Sequence, residues 1–236
     1  MTEQEWVGTT RPLPMETFLH KSNASERKRL LIGPACCRMI WELLTDPRSR
    51  AAVVLAEELV DEPRGSDRGQ SENEAAVQAW RSFDFHTRCG SAALAAHLSL
   101  GLCRRWHGRG RWENNVGDVM LKVRDAEDDY SGSWGRYVLP GDPNFQPDHP
   151  RQADLLRDIF GNPFRPVAFD PSWRTGTVAS LAKGMYESRE FSPMPILADA
   201  LQDAGCENDD VLKHCRDPKA AHVRGCWVVD LVLGKS

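Results

Sequence analysis

Apolar residues recur at three- and four-residue spacings along most of this chain, which is the pattern of amphipathic helices. Alternation of single apolar and polar residues, the mark of a half-buried strand, is scarce. Helices are predicted between residues 25 and 105 and again from residue 152 onward, and Pro34 is expected to kink or divide the first of them. The segment from Cys89 to Arg105 is apolar on nearly all sides, so we expect it at the centre of a bundle. The pattern predicts an all-α protein built from antiparallel helix pairs.

Residues 106–150 interrupt this pattern. They hold six glycines between Gly108 and Gly141, four prolines between Pro140 and Pro150, and little periodicity. Glycine and proline are the strongest local markers of turns and loops, so this composition indicates irregular structure. The predicted organisation is an N-terminal helical block (1–105), an irregular connector (106–150) and a C-terminal helical module (151–236).

Four potential metal ligands lie within 21 residues of one another near the C-terminal end. Thiolate and imidazole are ligands that zinc prefers, and the spacing C-x8-C-x6-H-x3-C would close short loops around a tetrahedral ion. The interpretation favoured by the sequence is that the cysteines are small core residues and the histidine is hydrogen-bonded, because free cysteine is among the most often buried residue types. His214 is a further candidate ligand. The predicted zinc ligands are Cys206, Cys215, His222 and Cys226.

The stretch from residue 104 to residue 112 is basic and contains two tryptophans. Guanidinium groups can contact phosphates while indole rings stack on unpaired bases, so this composition suits single-stranded nucleic acid. An acidic stretch at residues 125–129 could pair with these arginines or screen them, which would leave an ordinary solvated loop. The candidate nucleic-acid contacts are Arg104, Arg105, Trp106, Arg109, Arg111 and Trp112.

The remaining cysteines give weaker support to catalysis. Cys36 and Cys37 are neighbours, and neighbours in a helix point about 100° apart, so they cannot readily bridge or share a metal. Core packing is therefore expected for both. No nucleophile-elbow or oxyanion motif flanks any cysteine, and no phosphate loop or dinucleotide fingerprint occurs. A small Cys–His enzyme would have to pair Cys37 or Cys89 with His86 or His97.

Composition narrows the class of protein. A chain of 236 residues, 41% hydrophobic and 27% charged, allows one or two globular domains. The net charge of −4 argues against general attraction to nucleic acid, although a local basic patch could still act. No apolar run approaches 18 residues and no signal-like segment follows Met1, so neither a membrane span nor secretion is expected. With an odd number of cysteines, seven, the chain is predicted to be cytoplasmic.

Three parts of the sequence resemble a known family. They are the opening Met1–Glu3 with Trp6, the tract Ala35–Asp46 (ACCRMIWELLTD), and a C-terminal block from Leu155–Pro166 (LLRDIFGNPFRP) to His222–Trp227 (HVRGCW). These motifs resemble an uncharacterised, highly multiplied family of bacterial proteins. The resemblance covers roughly the first 60 and the last 85 residues. It implies the two-block organisation and no assigned reaction.

The sequence as a whole favours a non-catalytic helical interaction or adaptor protein that recognises another protein. A zinc-stabilised nucleic-acid-binding protein is the main alternative, and a small Cys–His enzyme is the weaker one. No cofactor is expected, and zinc is the one candidate if a cofactor binds.

Overall fold

The computed structural model describes residues 1–22, 24–62, 68–84, 87–106, 116–127 and 149–235. Within these ranges the chain forms twelve α-helices, with short 3-10 turns at Trp41–Leu43 and Pro171–Trp173, and no strand. The prediction of an all-α protein is confirmed, whereas the antiparallel pairing of its helices stays a prediction. The helices are α1 (Glu3–Gly8), α2 (Pro12–Lys21), α3 (Glu26–Met39), α4 (Pro47–Leu59), α5 (Gln70–Arg81), α6 (Arg88–Trp106), α7 (Val116–Glu127), α8 (Pro150–Phe160), α9 (Gly176–Ser188), α10 (Met194–Asp203), α11 (Asp209–Arg216) and α12 (Trp227–Leu233).

The helices group into two compact units, Thr10–Gln152 and a second unit made of Met1–Thr9 with Ala153–Ser236. The first is called here the central unit and the second the terminal unit. The first nine residues thus belong with the last third of the chain. This division differs from the predicted blocks, because no local pattern in residues 1–9 shows which distant helix they contact.

In the central unit, α6 contacts α3, α4, α5 and α7. Its alanines, such as Ala92 and Ala96, are buried, and small side chains allow close helix packing. A Cβ atom at Gly33 of α3 would lie 3.1 Å from Oγ of Ser99, so these two helices meet closely. The predicted central position of this helix is confirmed. Pro34 does not divide α3, which continues through it to Met39.

Helix α7 lies inside the predicted irregular connector, and there the structure differs from the prediction. Its buried residues Val116, Val119, Met120 and Val123 recur at helical spacing. The glycines on both sides obscured this short periodic stretch in the sequence. Residues 107–115 and 128–148 of the connector lie outside the described residues.

In the terminal unit, helices α9 to α12 enclose an apolar core. Helix α8 has three buried apolar residues on one face, Leu155, Leu156 and Ile159. Such a stripe is expected of a helix that covers a core. Among the described residues, no helix has the length and apolar character needed to cross a membrane.

Candidate metal centre

Four side chains converge in the interior of the terminal unit: Asp158, His214, His222 and Cys226. Their potential ligand atoms all lie within 4.8 Å of one another. Asp158 is on α8, His214 is on α11, His222 is in the loop before α12, and Cys226 is the N-cap residue of α12. We call these four residues the Asp–His–His–Cys cluster.

Helix phase places Asp158 and His214 in the cluster. Asp158 follows Leu155 by three residues, so it shares the buried face of α8. His214 follows Val211 by three residues on α11, and Val211 is buried in the core. Helix α11 begins where the Asn208 side chain accepts a hydrogen bond from the Val211 amide (3.1 Å), a common N-cap arrangement.

A tight turn brings the other two members together. The Cys226 amide donates to the Val223 carbonyl over 2.9 Å, and Gly225 has φ of 100°. That left-handed conformation favours glycine, so the turn explains a glycine between the two ligands. The turn leaves Sγ of Cys226 3.8 Å from Nδ1 of His222.

The carboxylate of Asp158 is at the middle of this arrangement. Its Oδ1 lies 2.8 Å from Nδ1 of His222 and 3.2 Å from Nε2 of His214. Its Oδ2 accepts a hydrogen bond from the Val223 amide (2.9 Å), which fixes the orientation of the carboxylate. Nε2 of His214 is also 3.2 Å from Sγ of Cys226.

These contacts differ from those of a catalytic relay. In a Cys–His–Asp relay, one imidazole nitrogen contacts the nucleophile and the other contacts the carboxylate. Here each histidine points a single nitrogen at both Asp158 and Cys226: Nε2 in His214 and Nδ1 in His222. Cys226 is also fully buried, so no substrate reaches its thiol. Four donor atoms within 4.8 Å of one another could instead hold a metal ion.

Burial and neighbouring charges set the ionisation of the two acidic members. Burial alone would raise the pKa of Asp158, but its hydrogen bonds with His214 and His222 outweigh this and lower the pKa below its ordinary value. Burial, reinforced by the nearby Asp158 carboxylate, raises the pKa of the Cys226 thiol well above its ordinary value. Without a cation beside it, Cys226 is therefore a neutral thiol at neutral pH.

The predicted zinc ligands are divided by the structure. His222 and Cys226 belong to the cluster, while Cys206 and Cys215 lie buried in the apolar core and are not among the four converging residues. Burial, aided by the neighbouring Cys206 and Asp158, raises the pKa of Cys215 to about 12. Asp158 was missed in the sequence, although a charged residue on the apolar face of a helix is a signal that could have revealed it.

The candidate nucleic-acid residues lie at the end of α6 and beyond it. Arg104, Arg105 and Trp106 form its last residues, and this is all that the structure describes of them. Nucleic-acid binding therefore stays a prediction. The other three candidates lie outside the described residues: Arg109, Arg111 and Trp112.

The alternative Cys–His pairs also find little support in the described residues. Cys37 is fully buried, and burial raises the pKa of its thiol. Its neighbour Cys36 is likewise buried, in agreement with the core role expected for both. His97 stacks on Trp80 with ring centroids 6.2 Å apart, and His86 lies outside the described residues.

Comparisons with protein-family models, with curated proteins and with solved structures found no match to this chain. The resemblance to a bacterial family therefore stays a prediction.

Proposed function

We propose that the terminal unit binds one zinc ion through Asp158, His214, His222 and Cys226, and that the ion is structural. The protein is then a zinc-stabilised, non-catalytic helical module that acts by binding another protein. One observation carries this proposal: four zinc-type donor atoms lie within 4.8 Å of one another in the interior. A site with four protein ligands has no open position for a substrate, and this favours a structural metal over a catalytic one.

Donor distances support a tetrahedral ion. Zinc lies about 2.0–2.3 Å from its ligand atoms, so tetrahedral donors are separated by about 3.3–3.7 Å. Four of the six donor separations in the cluster are 2.8, 3.2, 3.2 and 3.8 Å, and none of the six exceeds 4.8 Å. These separations lie on both sides of the tetrahedral values, so donor shifts of up to about one ångström would admit the ion.

Charge balance supports a divalent cation. Metal binding requires the Cys226 thiol to release its proton. The resulting thiolate and the Asp158 carboxylate carry two negative charges, which one Zn²⁺ neutralises. A neutral assembly suits the interior, because an uncompensated buried charge is costly.

The surroundings also hold the donors in place. The Val223 amide holds Oδ2 of Asp158, which leaves Oδ1 for the ion. In His222, Nε2 is buried and has no hydrogen-bond partner among the described residues, so Nδ1 is the nitrogen aimed at the site. Exposure of the side chains is 3% for Asp158, 6% for His222 and 16% for His214, so solvent has little access.

Cobalt(II) titration of the metal-free full chain tests the proposal. We expect saturation at one equivalent, visible bands of tetrahedral Co²⁺, and a near-ultraviolet charge-transfer band from thiolate to metal. Added Zn²⁺ should remove these signals. Absence of stoichiometric binding would contradict the proposal.

Matched cysteine variants identify the ligand set. Cys226→Ser should abolish the charge-transfer band, whereas Cys215→Ser, at an equally buried thiol, should retain it. His214→Gln should weaken binding. If Cys215→Ser and Cys226→Ser each only weaken the band and His214→Gln has no effect, the ligands are those predicted from spacing, which include three thiolates, and not the cluster.

A further inference from the structure

The N-terminal helix α1 is held against α8 by specific contacts within the terminal unit. The Trp6 side chain is 1% exposed, and its indole Nε1 donates to the Gly161 carbonyl over 3.0 Å. The Arg157 guanidinium donates to the Trp6 carbonyl from Nε (3.0 Å) and Nη2 (2.9 Å), and also to the Thr9 carbonyl. Asn162 donates to the Glu3 carboxylate over 2.8 Å. These four contacts join residues about 150 positions apart in sequence.

Helix α1 depends on this docking for its structure. It has six residues, and isolated helices of this length do not persist in water. A capping box between Thr2 and Glu5 stabilises its first turn, but such a cap alone cannot offset the cost of helix nucleation. If the segment Met1–Thr9 undocks, it should therefore unfold.

The elements that hold α1 also hold the Asp–His–His–Cys cluster. Arg157, which binds α1, is followed in α8 by Asp158, which belongs to the cluster. Gly161 gives a second connection: its carbonyl accepts from Trp6, and a Cβ atom on it would lie 3.1 Å from the ring of Trp227. Trp227 directly follows Cys226, and its ring is centred 5.2 Å from that of His214.

We infer that metal binding at the cluster and docking of Met1–Thr9 are thermodynamically coupled, so that metal loss releases the N-terminal helix. This inference rests on the proposed zinc site. The ion fixes Asp158 and Cys226 relative to each other, and this fixes the end of α8 and the Trp227 ring against Gly161. The end of α8 and the Gly161 carbonyl, to which Trp6 donates, are then in place. Without the ion, α8 and the segment before α12 are joined at the cluster only by the hydrogen bonds of Asp158, and the docking site of α1 loosens.

Linkage makes the inference quantitative. If zinc strengthens docking of α1 by a given factor, docking of α1 must strengthen zinc binding by the same factor. Zinc binding shifts the equilibrium between the docked and undocked states of α1, and a change in that equilibrium in turn shifts zinc binding. A variant in which α1 is permanently undocked should therefore bind zinc more weakly by that factor.

Hydrogen exchange of the full chain, read by mass spectrometry, measures the first factor. Metal removal should lower protection of amides in residues 3–9 by about tenfold, within the usual range of coupling between sites. Zinc addition should restore it. Helix α2, in the central unit, is the internal control and should exchange equally in both states.

Zinc affinity of two α1 variants measures the second factor. Trp6→Ala should undock α1 and lower affinity by the factor found from exchange. Val7→Ala is the matched control, because Val7 is on the same helix and 60% exposed, and it should bind zinc as the natural chain does. Equal exchange of residues 3–9 with and without bound zinc, or natural affinity in Trp6→Ala, would overturn the coupling while leaving the zinc site intact. A chain that binds no zinc would refute both.

Discussion

The buried carboxylate of Asp158 offers the sharpest test of the cluster, because its role does not depend on which metal is bound. The side chain is 3% exposed, and both its oxygens have partners. Oδ1 faces His214 and His222, and Oδ2 accepts from the Val223 amide. We predict that Asp158→Asn destabilises the terminal unit with or without metal.

The expected loss follows from the contacts that the amide cannot reproduce. Asparagine keeps the size of the side chain and an oxygen for the Val223 amide, but it removes the negative charge from both imidazole contacts. A hydrogen bond to a charged group contributes at least about 1.5 kcal/mol, so two such bonds give about 3 kcal/mol. Loss of bound zinc adds about 2.7 kcal/mol when the free ion is at 100 times its dissociation constant.

Hydrogen exchange of α8 and α12, measured in chelator and in zinc, reports the opening free energy of the terminal unit separately from that of the central unit. Asp199→Asn is the matched control. The Asp199 side chain is 71% exposed and pairs with Arg216 over 2.7 Å, so its loss should cost less than about 1 kcal/mol. If Asp158→Asn costs no more than Asp199→Asn in both conditions, the cluster does not stabilise the unit.

The same carboxylate predicts a dependence on pH. Burial opposes its ionisation, but the bonds to His214 and His222 prevail, so its pKa in the folded protein is lower than in the unfolded chain, where it is about 3.9. A group with a lowered folded pKa stabilises the fold above the unfolded value, and the effect is lost as pH falls through the folded value. The stability difference between the natural chain and Asp158→Asn should therefore shrink below about pH 4. A difference that grows in acid would contradict this assignment.

Three further predictions concern other parts of the chain. Gly161→Ala should lower the free energy of unfolding by more than about 1 kcal/mol, and with it the melting temperature, because φ of +66° disfavours alanine and the added Cβ would crowd Trp227. Gly184→Ala is the control: it lies in α9 with open space around it and should be neutral or stabilising. In thiol labelling read by mass spectrometry, Cys215 should react far more slowly than the half-buried Cys89, because burial raises the pKa of Cys215 to about 12. Equal labelling rates would show that the core opens readily. If the basic stretch binds single-stranded nucleic acid, the affinity should fall steeply with added salt. It should also fall in a variant that replaces Arg104, Arg105, Arg109 and Arg111 together. An affinity that does not depend on salt, or no binding at low ionic strength, would contradict the hypothesis.

The architecture could be predicted from sequence only as far as local periodicity reaches. Helical spacing predicts the all-α class and the buried position of α6, because both follow from which residues recur every three or four positions. Helix α7 was missed because glycine-rich flanks outweighed the apolar residues of its buried face. The membership of Met1–Thr9 in the terminal unit was also missed, since it depends on Trp6 finding Gly161, 155 residues away.

The candidate site shows a similar limit and a way around it. The spacing of residues in the sequence identified His222 and Cys226 as candidate neighbours, because only one tight turn separates them. It could not identify Asp158, which lies 64 residues before His222. The net charge of the ion and its ligands could have indicated an acidic ligand. Zn²⁺ with the thiolates of Cys206, Cys215 and Cys226 and a neutral histidine would leave one net negative charge in an apolar core, whereas a single thiolate with a single carboxylate and two neutral histidines leaves none. An acidic residue on the apolar face of α8 supplies the carboxylate that this balance requires, and such a residue is buried only where partners compensate its charge. Among the described residues, the chemistry of the interior therefore favours the Asp–His–His–Cys cluster over the four ligands that lie closest in sequence.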